Sequence, residues 1–171
     1  PTACVHHGPV RLIGQLAHVV GARHQPDEIK RVLAVTEEFD SSSSEAETRD
    51  QVQLAVVEYL GAGLKRSGAS FQAFTSNEDT PSARLLLGML ADAERKAGDS
   101  AVDTDDRIRA IDLLAYTVFD RASSALVPLL DPQQPQAIQR RAVTVLSSFP
   151  EPAVAPLFLD QFSKLTPQVR S

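Results

Sequence analysis

Cysteine, tryptophan and long apolar runs are scarce or absent in this 171-residue chain. A single Cys excludes an internal disulfide and a metal cage built from cysteines alone. The absence of Trp and an aromatic content of 5% indicate a core of Leu, Val, Ile and Ala. No apolar run approaches the roughly 20 residues that span a bilayer, so we expect no membrane insertion by this segment. The net charge of −5 argues against a nucleic-acid partner.

Apolar residues recur along the chain at the three- and four-residue intervals typical of amphipathic helices. Alternating β-branched runs and Asn-Gly or Asp-Gly turns, which would indicate strands and hairpins, are missing. The first helix is predicted between Pro9 and Arg23, with Gly21 where it stops, and Pro26 opens a second helix that forms a hairpin with it. The serine run predicts a flexible loop near 40–47. A further helix is predicted at 48–66, with Gly68 beyond its end. Other helices are predicted from Thr80-Pro81 to Gly98, at Thr104–Val118, and in three segments over 125–130, 135–149 and 152–165.

Two motifs recur in the last third of the chain. Arg109-Ala110-Ile111-x-Leu113-Leu114 matches Arg141-Ala142-Val143-x-Val145-Leu146, at an offset of 32 positions. Ala125-Leu126-Val127-Pro128-Leu129-Leu130 matches Ala153-Val154-Ala155-Pro156-Leu157-Phe158, at an offset of 28 positions. Intervals of this size are typical of two-helix solenoid repeats, in which each pair buries its apolar face only against its neighbours.

The fold predicted from these patterns is all-α: antiparallel helix pairs stacked as a HEAT-like or armadillo-like α-solenoid with a right-handed superhelix. We expect residues 1–8 to be a frayed N-terminal segment and 9–171 to be a single helical repeat domain. Thr166-Pro167 is typical of a helix start, with Thr as the N-cap and Pro as the first helical residue. We therefore expect the chain to be a fragment truncated within a further helix.

The junction Leu129-Leu130-Asp131-Pro132 and the following Arg141-Ala142 and Phe149-Pro150-Glu151-Pro152 resemble the HEAT-like segment of planctomycete-type membrane-bound dehydrogenase and haem-binding-domain proteins. That resemblance implies a helical linker between a dehydrogenase-like domain and a c-type cytochrome, in the periplasm or cell envelope. The family's haem motif, Cys-x-x-Cys-His, is absent, because Cys4 is followed by Val5-His6-His7. No haem ligand or dehydrogenase residue is carried over, and no cofactor is expected in this chain.

Three N-terminal residues, Cys4, His6 and His7, are weak candidates for a metal site, since thiolate and imidazole are ligands that Zn²⁺ accepts. No spacing signature accompanies them, and adjacent His side chains project apart on regular structure. A frayed end with incidental histidines is the simpler interpretation. The aspartates of Asp103–Asp106 lack the pattern of a Ca²⁺ loop, so we expect Thr104-Asp105-Asp106 to cap a helix instead.

Arg109, Arg141 and Arg170 occupy matching repeat positions and form a predicted ladder. Such a ladder either binds acidic partners or bridges to an acidic residue of the adjacent turn or repeat, with Asp112 and Asp131 as the candidates. We favour the structural role.

The sequence therefore predicts a non-catalytic scaffold or protein-interaction module whose partners are proteins, either flanking domains or another chain. Two alternatives stay open. The chain contributes residues to a redox enzyme at a domain interface, or it is a stand-alone adaptor that binds an extended peptide. No catalytic motif of the nucleophile-elbow, P-loop or dinucleotide-binding type is present.

Overall fold

The computed structural model describes residues 7–42, 46–75 and 80–162. All regular secondary structure in these ranges is helical, which confirms the predicted all-α class. The chain divides into two compact units, Pro1–Met89 and Leu90–Ser171, hereafter unit 1 and unit 2. The repeat pattern alone gave no sign of this division.

The described helices of unit 1 are α1 (His7–Arg23), α2 (Pro26–Ser42), α3 (Ala46–Arg66), the short α4 (Gln72–Thr75) and the first half of α5 (Pro81–Gly98). Because α2 ends at Ser42 and α3 begins at Ala46, helix occupies part of the loop predicted near 40–47, and residues 43–45 lie outside the described ranges. The N-terminal boundary also differs from expectation, since α1 begins at His7 rather than at Pro9.

Several predicted helix ends are confirmed by their capping geometry. The hydroxyl of Thr80 accepts a hydrogen bond from the backbone N–H of Ala83 at 3.2 Å, with Pro81 in the first helical position of α5. Beyond the end of α3, Gly68 has φ 78°, the left-handed conformation that glycine adopts without steric cost. The Thr80-Pro81 start of α5 and the glycine beyond α3 therefore lie where local capping geometry places helix boundaries.

Gly21 does not end α1, contrary to the sequence-based expectation, because α1 continues to Arg23. The chain leaves the helix at His24, whose φ of 51° lies in the left-handed region, and its backbone N–H donates to the Gly21 carbonyl at 3.1 Å. Gly21 instead lies where α1 contacts α3. A Cβ atom at Gly21 would approach the Leu60 carbonyl oxygen to 2.4 Å, and one at Gly63 would approach the His18 carbonyl oxygen to 2.2 Å.

These contacts show that α1 and α3 pack backbone against backbone. A Cβ atom at Gly14 would lie 2.6 Å from Cδ2 of Tyr59, so the contacts advance in the same direction along both helices and the two run parallel. Helix α1 also contacts α2, yet the most extensive contact of α1 is with α3. Glycine makes this approach possible because it has no side chain to hold the helices apart.

The described elements of unit 2 are the second half of α5, α6 (Thr104–Leu114), α7 (Phe119–Leu126), a 3-10 turn (Val127–Leu130), α8 (Gln136–Ser147) and α9 (Val154–Gln161). The N-cap of α6 is Asp103 rather than the predicted Thr104, and its carboxylate accepts from the backbone N–H of Asp105 at 2.8 Å. The aspartates Asp105 and Asp106 stand in the first turn, where negative charge complements the helix dipole.

Helix α8 packs against α6, so the two copies of the motif that begins at Arg109 and at Arg141 lie on neighbouring helices, and α8 also packs against the 3-10 turn. The interior between them is aliphatic and fully buried, with side chains from Ile111, Leu114, Leu126, Leu129, Leu130, Ile138 and Leu146. Phe119 and Phe149 add an edge-to-face aromatic contact with ring centroids 5.7 Å apart. The Leu/Val/Ile/Ala core predicted from the lack of aromatics is thus what fills unit 2.

Candidate functional site

Arg141 of α8 forms an ion pair with Asp112 of α6, and its Nε donates a hydrogen bond to Oδ1 of that aspartate. The hydrogen bond to the carboxylate raises the pKa of the Arg141 guanidinium above its ordinary value. Asp112 was one of the two acidic candidates that the sequence offered for the arginine ladder as a whole. The other, Asp131, lies elsewhere: its carboxylate accepts from the backbone N–H of Gln133 at 2.8 Å. Arg141 therefore joins α8 to α6.

Arg109 does not repeat this contact, although the sequence motif aligns it with Arg141. It is exposed, and its guanidinium pairs with Asp106 one turn earlier on the same helix, at 3.2 Å. A ladder of equivalent arginines is consequently not formed by these two residues. The third predicted member, Arg170, lies outside the described residues.

Two of the three weak metal candidates fall outside the part of the chain that the structure describes. Cys4 and His6 lie outside the described residues, and His7 is the first residue of α1. Within residues 7–42, 46–75 and 80–162, no group of three or more His, Cys, Asp or Glu side chains is placed to hold a metal ion.

Arg107 of α6 is buried, and the sequence analysis did not identify it. Its Nε donates to the Ala97 carbonyl in the last turn of α5 at 3.0 Å, and its Nη2 donates to Oε1 of Gln134 at 2.7 Å. The carbonyl end of a helix carries partial negative charge, so α5 offsets part of the cost of burying this cation. Arg107 thus fastens the end of α5 to the loop before α8.

Gln139 of α8 has a similar role 32 positions further along the chain. It is also buried, and its side-chain amide donates to the carbonyl oxygens of Asp131 at 3.0 Å and Gln134 at 2.9 Å. Since Gln134 accepts through its side chain from Arg107 and through its carbonyl from Gln139, the two buried donors belong to one hydrogen-bond network. We call Arg107, Gln134 and Gln139 the polar network of unit 2.

A signal for this network is present in the sequence. The offset of 32 that aligns Arg109 with Arg141 also aligns Arg107 with Gln139, and both fall on the apolar stripe of their helices. A long polar donor on an apolar stripe at matching repeat positions indicates a side chain that satisfies backbone carbonyls inside the protein. Periodicity analysis ignores such residues because it follows the apolar positions alone.

A second ion pair within unit 2 joins helices that are distant in sequence. Arg121 of α7 contacts Glu94 in the second half of α5, and both side chains are half-buried. The Arg121–Glu94 pair, the Arg141–Asp112 pair and the polar network share one feature. Each joins two helices of unit 2 or joins a helix to the end of another element. These ion pairs and hydrogen bonds hold the helices of unit 2 at fixed distances from one another.

Several apolar side chains remain at the surface of the described residues. Leu12, Leu16 and Val19 lie on α1, while Leu159 and Phe162 lie at the C-terminal end of α9. Scattered exposed apolar residues are normal in proteins, but a contiguous stripe marks a contact surface. Among the described helices, none has the length and apolarity needed to cross a membrane.

No protein-family model, curated protein sequence or solved structure matches the chain. A proposal for the function therefore depends on the polar contacts and exposed surfaces of the described residues.

Proposed function

We propose that this chain is a non-catalytic helical-repeat scaffold that holds protein partners at a set geometry. The observation that carries the proposal is the matched role of Arg107 and Gln139. Each is a buried donor, 32 positions apart, that binds a carbonyl near the end of the preceding helical element. Each unit of a stacked array contacts only its neighbours. A hydrogen bond of the same kind at each junction therefore holds all the units at the same distance from one another.

Stacking of HEAT type in unit 2 belongs to this proposal. It is supported by the packing of α8 on α6, whose motifs match at the offset of 32, and by the Arg141–Asp112 pair between them. It is supported further by the 3-10 turn, which ends the second helix of one repeat and packs on α8. In a HEAT-type array the partners are proteins, bound along surfaces formed by successive helices.

The resemblance of the junction at Leu129–Pro132 extends the proposal to a specific context. A linker between a dehydrogenase-like domain and a c-type cytochrome needs rigid spacing and no haem ligand of its own. The aliphatic core and the inter-helix polar contacts of unit 2 supply that rigidity. The envelope location implied by the family is part of the same proposal.

Cross-linking mass spectrometry in cells that express this protein tests the scaffold role. We expect cross-links from exposed side chains of unit 2 to other domains or chains, with a pattern that is the same for the wild type and for Arg140→Gln. Arg140 is exposed on α8, so this variant changes surface charge without touching the Arg141–Asp112 pair. Cross-links confined to the chain itself would contradict the scaffold role.

The optical spectrum and metal content of the purified chain test the non-catalytic part. A scaffold is expected to purify without stoichiometric haem or metal. Haem absorbance or one equivalent of a transition metal, lost on replacement of Cys4 or His6, would overturn the proposal and favour a contribution to a redox site.

A further inference from the structure

The two copies of the repeat motifs in unit 2 are buried to different extents. Three apolar positions are buried in both copies, and the matched residues are Ala110 and Ala142, Leu113 and Val145, and Leu114 and Leu146. Four other apolar positions are buried in the first copy, where they are Ile111, Leu126, Leu129 and Leu130. Their equivalents in the second copy are only half-buried, and they are Val143, Val154, Leu157 and Phe158. We call these four half-buried residues the open side of unit 2.

Helix α8 accounts for the deeper burial of the first copy. It packs against α6, α7 and the 3-10 turn, which are the elements that carry the first copy. The second copy lies on α8 and α9, and within the described residues no helix follows α9. In a stacked array each repeat buries its outer side only against the next one. The difference in burial therefore marks the open side as the surface on which a further helix packs.

Helix α9 also lacks the outer face of a repeat that ends an array, which is polar because it meets water. Its sequence, VAPLFLDQ, contains a single charged residue, Asp160. A helix that is apolar on most sides is ordinarily buried. Leu159 is nevertheless 79% exposed, and Phe162 at the C-cap is 51% exposed. An uncovered apolar surface of this kind marks a contact with another protein element.

The helix that covers the first copy indicates what fits the second. The face of α8 is aliphatic, with Ile138, Ala142 and Leu146 fully buried. Because the open side repeats the apolar positions that α8 covers, a helix with the same kind of face suits it. A second copy of this chain does not offer its own α8 for this purpose, since that helix is already packed against α6 and the 3-10 turn.

A membrane surface fits the open side less well. Helices that lie on anionic bilayers are rich in Lys and Arg on their polar face. Helix α9 contains neither Lys nor Arg, and its one charge is the carboxylate of Asp160.

We propose that the open side of unit 2 binds a helix of a protein partner whose aliphatic face resembles that of α8. This proposal rests on the proposed scaffold function, because it treats the two motif copies as successive repeats. It deepens that function by naming the surface used and the chemistry of the partner helix.

Fluorescence anisotropy with a labelled peptide tests the assignment. The probe has the sequence of residues 135–149, PQAIQRRAVTVLSSF. A lactam bridge between the positions of Arg140 and Thr144, which are exposed on α8, keeps the probe helical, because isolated helices of this length are marginal in water. Its twin carries Ile138→Ser and Leu146→Ser. We expect the probe to bind at least about ten-fold more tightly than the twin, since the twin has lost two large apolar side chains.

Substitutions in the protein locate the binding surface. Val143→Lys should weaken binding of the probe by about ten-fold or more, because it places a charge where the probe packs. Val19→Lys on α1 is the matched control, since it makes the same change at an exposed valine of unit 1 and should leave the affinity unchanged. Val143→Thr is a milder variant that nearly keeps the shape of the side chain, and it should weaken binding by about two- to five-fold.

Circular dichroism establishes that each variant keeps its helices, and Val143→Thr supplies the test if Val143→Lys does not. Failure of the probe to bind, equal affinity for the probe and its twin, or wild-type affinity of a folded Val143 variant overturns the proposal.

Two further outcomes would assign the open side to another occupant and so overturn the proposal. Analytical ultracentrifugation that finds dimers of the wild type and monomers of Val143→Lys would assign it to a second copy. Sedimentation with phosphatidylserine vesicles that Val143→Lys abolishes would assign it to a membrane surface. The scaffold function is tested separately by cross-linking and by the haem and metal content, so its failure is distinguishable from failure of this proposal.

Discussion

The helix contacts of the two units differ in what lies between the helices. In unit 1, α1 and α3 meet through glycines, and the Gly63 backbone lies so close to α1 that a Cβ atom would come within 2.8 Å of the Ala22 nitrogen. In unit 2, larger side chains hold the helices at a distance, with Ile111, Leu114 and Leu146 buried between α6 and its neighbours. Unit 1 therefore depends on the absence of side chains at one contact, and unit 2 on their presence.

The difference teaches that the α1–α3 contact of unit 1 and the core of unit 2 tolerate different kinds of change. A core made of aliphatic side chains loses stability when atoms are removed, because a cavity remains. A backbone-to-backbone contact loses stability when atoms are added, because the helices must separate. Polar residues sharpen the contrast, since unit 2 also carries the buried network of Arg107, Gln134 and Gln139.

The largest expected effect is the loss of a core side chain in unit 2. Leu146→Ala, or Leu114→Ala, should lower the free energy of unfolding by about 2–5 kcal/mol, as for other fully buried leucines. Urea denaturation followed by circular dichroism measures it. The matched control is Leu159→Ala on the exposed side of α9, and replacement of His6 should likewise cost almost nothing. A larger cost at Leu159 or His6 than at Leu146 would contradict the assignment of the core.

The glycine contact of unit 1 gives the second effect. Gly63→Ala should destabilise the protein by about 1–3 kcal/mol, because the new methyl group meets the His18 carbonyl and α1 must move away. Gly88→Ala on α5 is the control, since a Cβ atom there meets nothing within 4 Å. It should stabilise by up to about 1 kcal/mol through helix propensity alone.

Hydrogen exchange shows where the Gly63→Ala effect is felt. Amide protection should fall in α1 and α3 and persist in α6 and α8, because the substituted contact lies within unit 1. A uniform loss of protection in both units would mean that they unfold as one, and stabilisation by Gly63→Ala would mean that the helices are not in backbone contact.

Glycine also marks where prediction from the sequence succeeded and where it failed. Gly68 was correctly placed beyond the end of α3, since a helix terminator needs only local geometry. Gly21 was taken for the end of α1, yet it faces Leu60 and Gly63 of another helix. A glycine within a helical pattern has the same local appearance in both cases. Only the tertiary contact distinguishes them, and no periodicity within α1 contains that information.

The polar contacts of unit 2 also include some residues that the sequence singled out and others that it did not. Arg141 contacts Asp112, one of the two acidic candidates named for the arginine ladder, because α8 packs against α6. Arg109 aligns equally well but pairs within its own helix, since alignment does not determine which rotamer an exposed arginine adopts. Arg107 and Gln139 were missed because the apolar pattern was followed and the polar positions on it were passed over.

The polar network gives a third effect, smaller than loss of a core leucine. Arg107→Met keeps the length of the side chain but leaves the Ala97 carbonyl and the Gln134 amide oxygen without their donor, at a cost of about 1–3 kcal/mol. Arg109→Met removes the same charge from an exposed position on the same helix and should change stability by less than about 0.5 kcal/mol. Thermal or urea unfolding compares the two. Equal effects would mean that charge, rather than the buried hydrogen bonds, is what matters.

Surface charge gives the smallest effect. Asp92 on α5 pairs with Lys96 at 2.8 Å and also with Arg95. The hydrogen bond from Lys96, with a further contribution from Arg95, lowers the pKa of Asp92 below its ordinary value of 3.8. The folded protein then binds the proton less tightly than the unfolded chain. The contribution of Asp92 to stability is therefore fully present above pH 3.8 and is lost as the pH falls through the lowered folded pKa.

Asp92→Asn should accordingly lower the urea midpoint at pH 7 by an amount equivalent to less than about 0.5 kcal/mol, since the pair is largely exposed and screened by solvent. The difference from the wild type should shrink at high salt and vanish in acid below the folded pKa. Glu151→Gln, which removes an exposed carboxylate from the loop before α9, serves as the charge-matched control. A difference that grows on acidification would mean that Asp92 is stabilised by its protonated form, and a cost near that of Arg107→Met would place this surface pair among the contacts that determine the packing of unit 2.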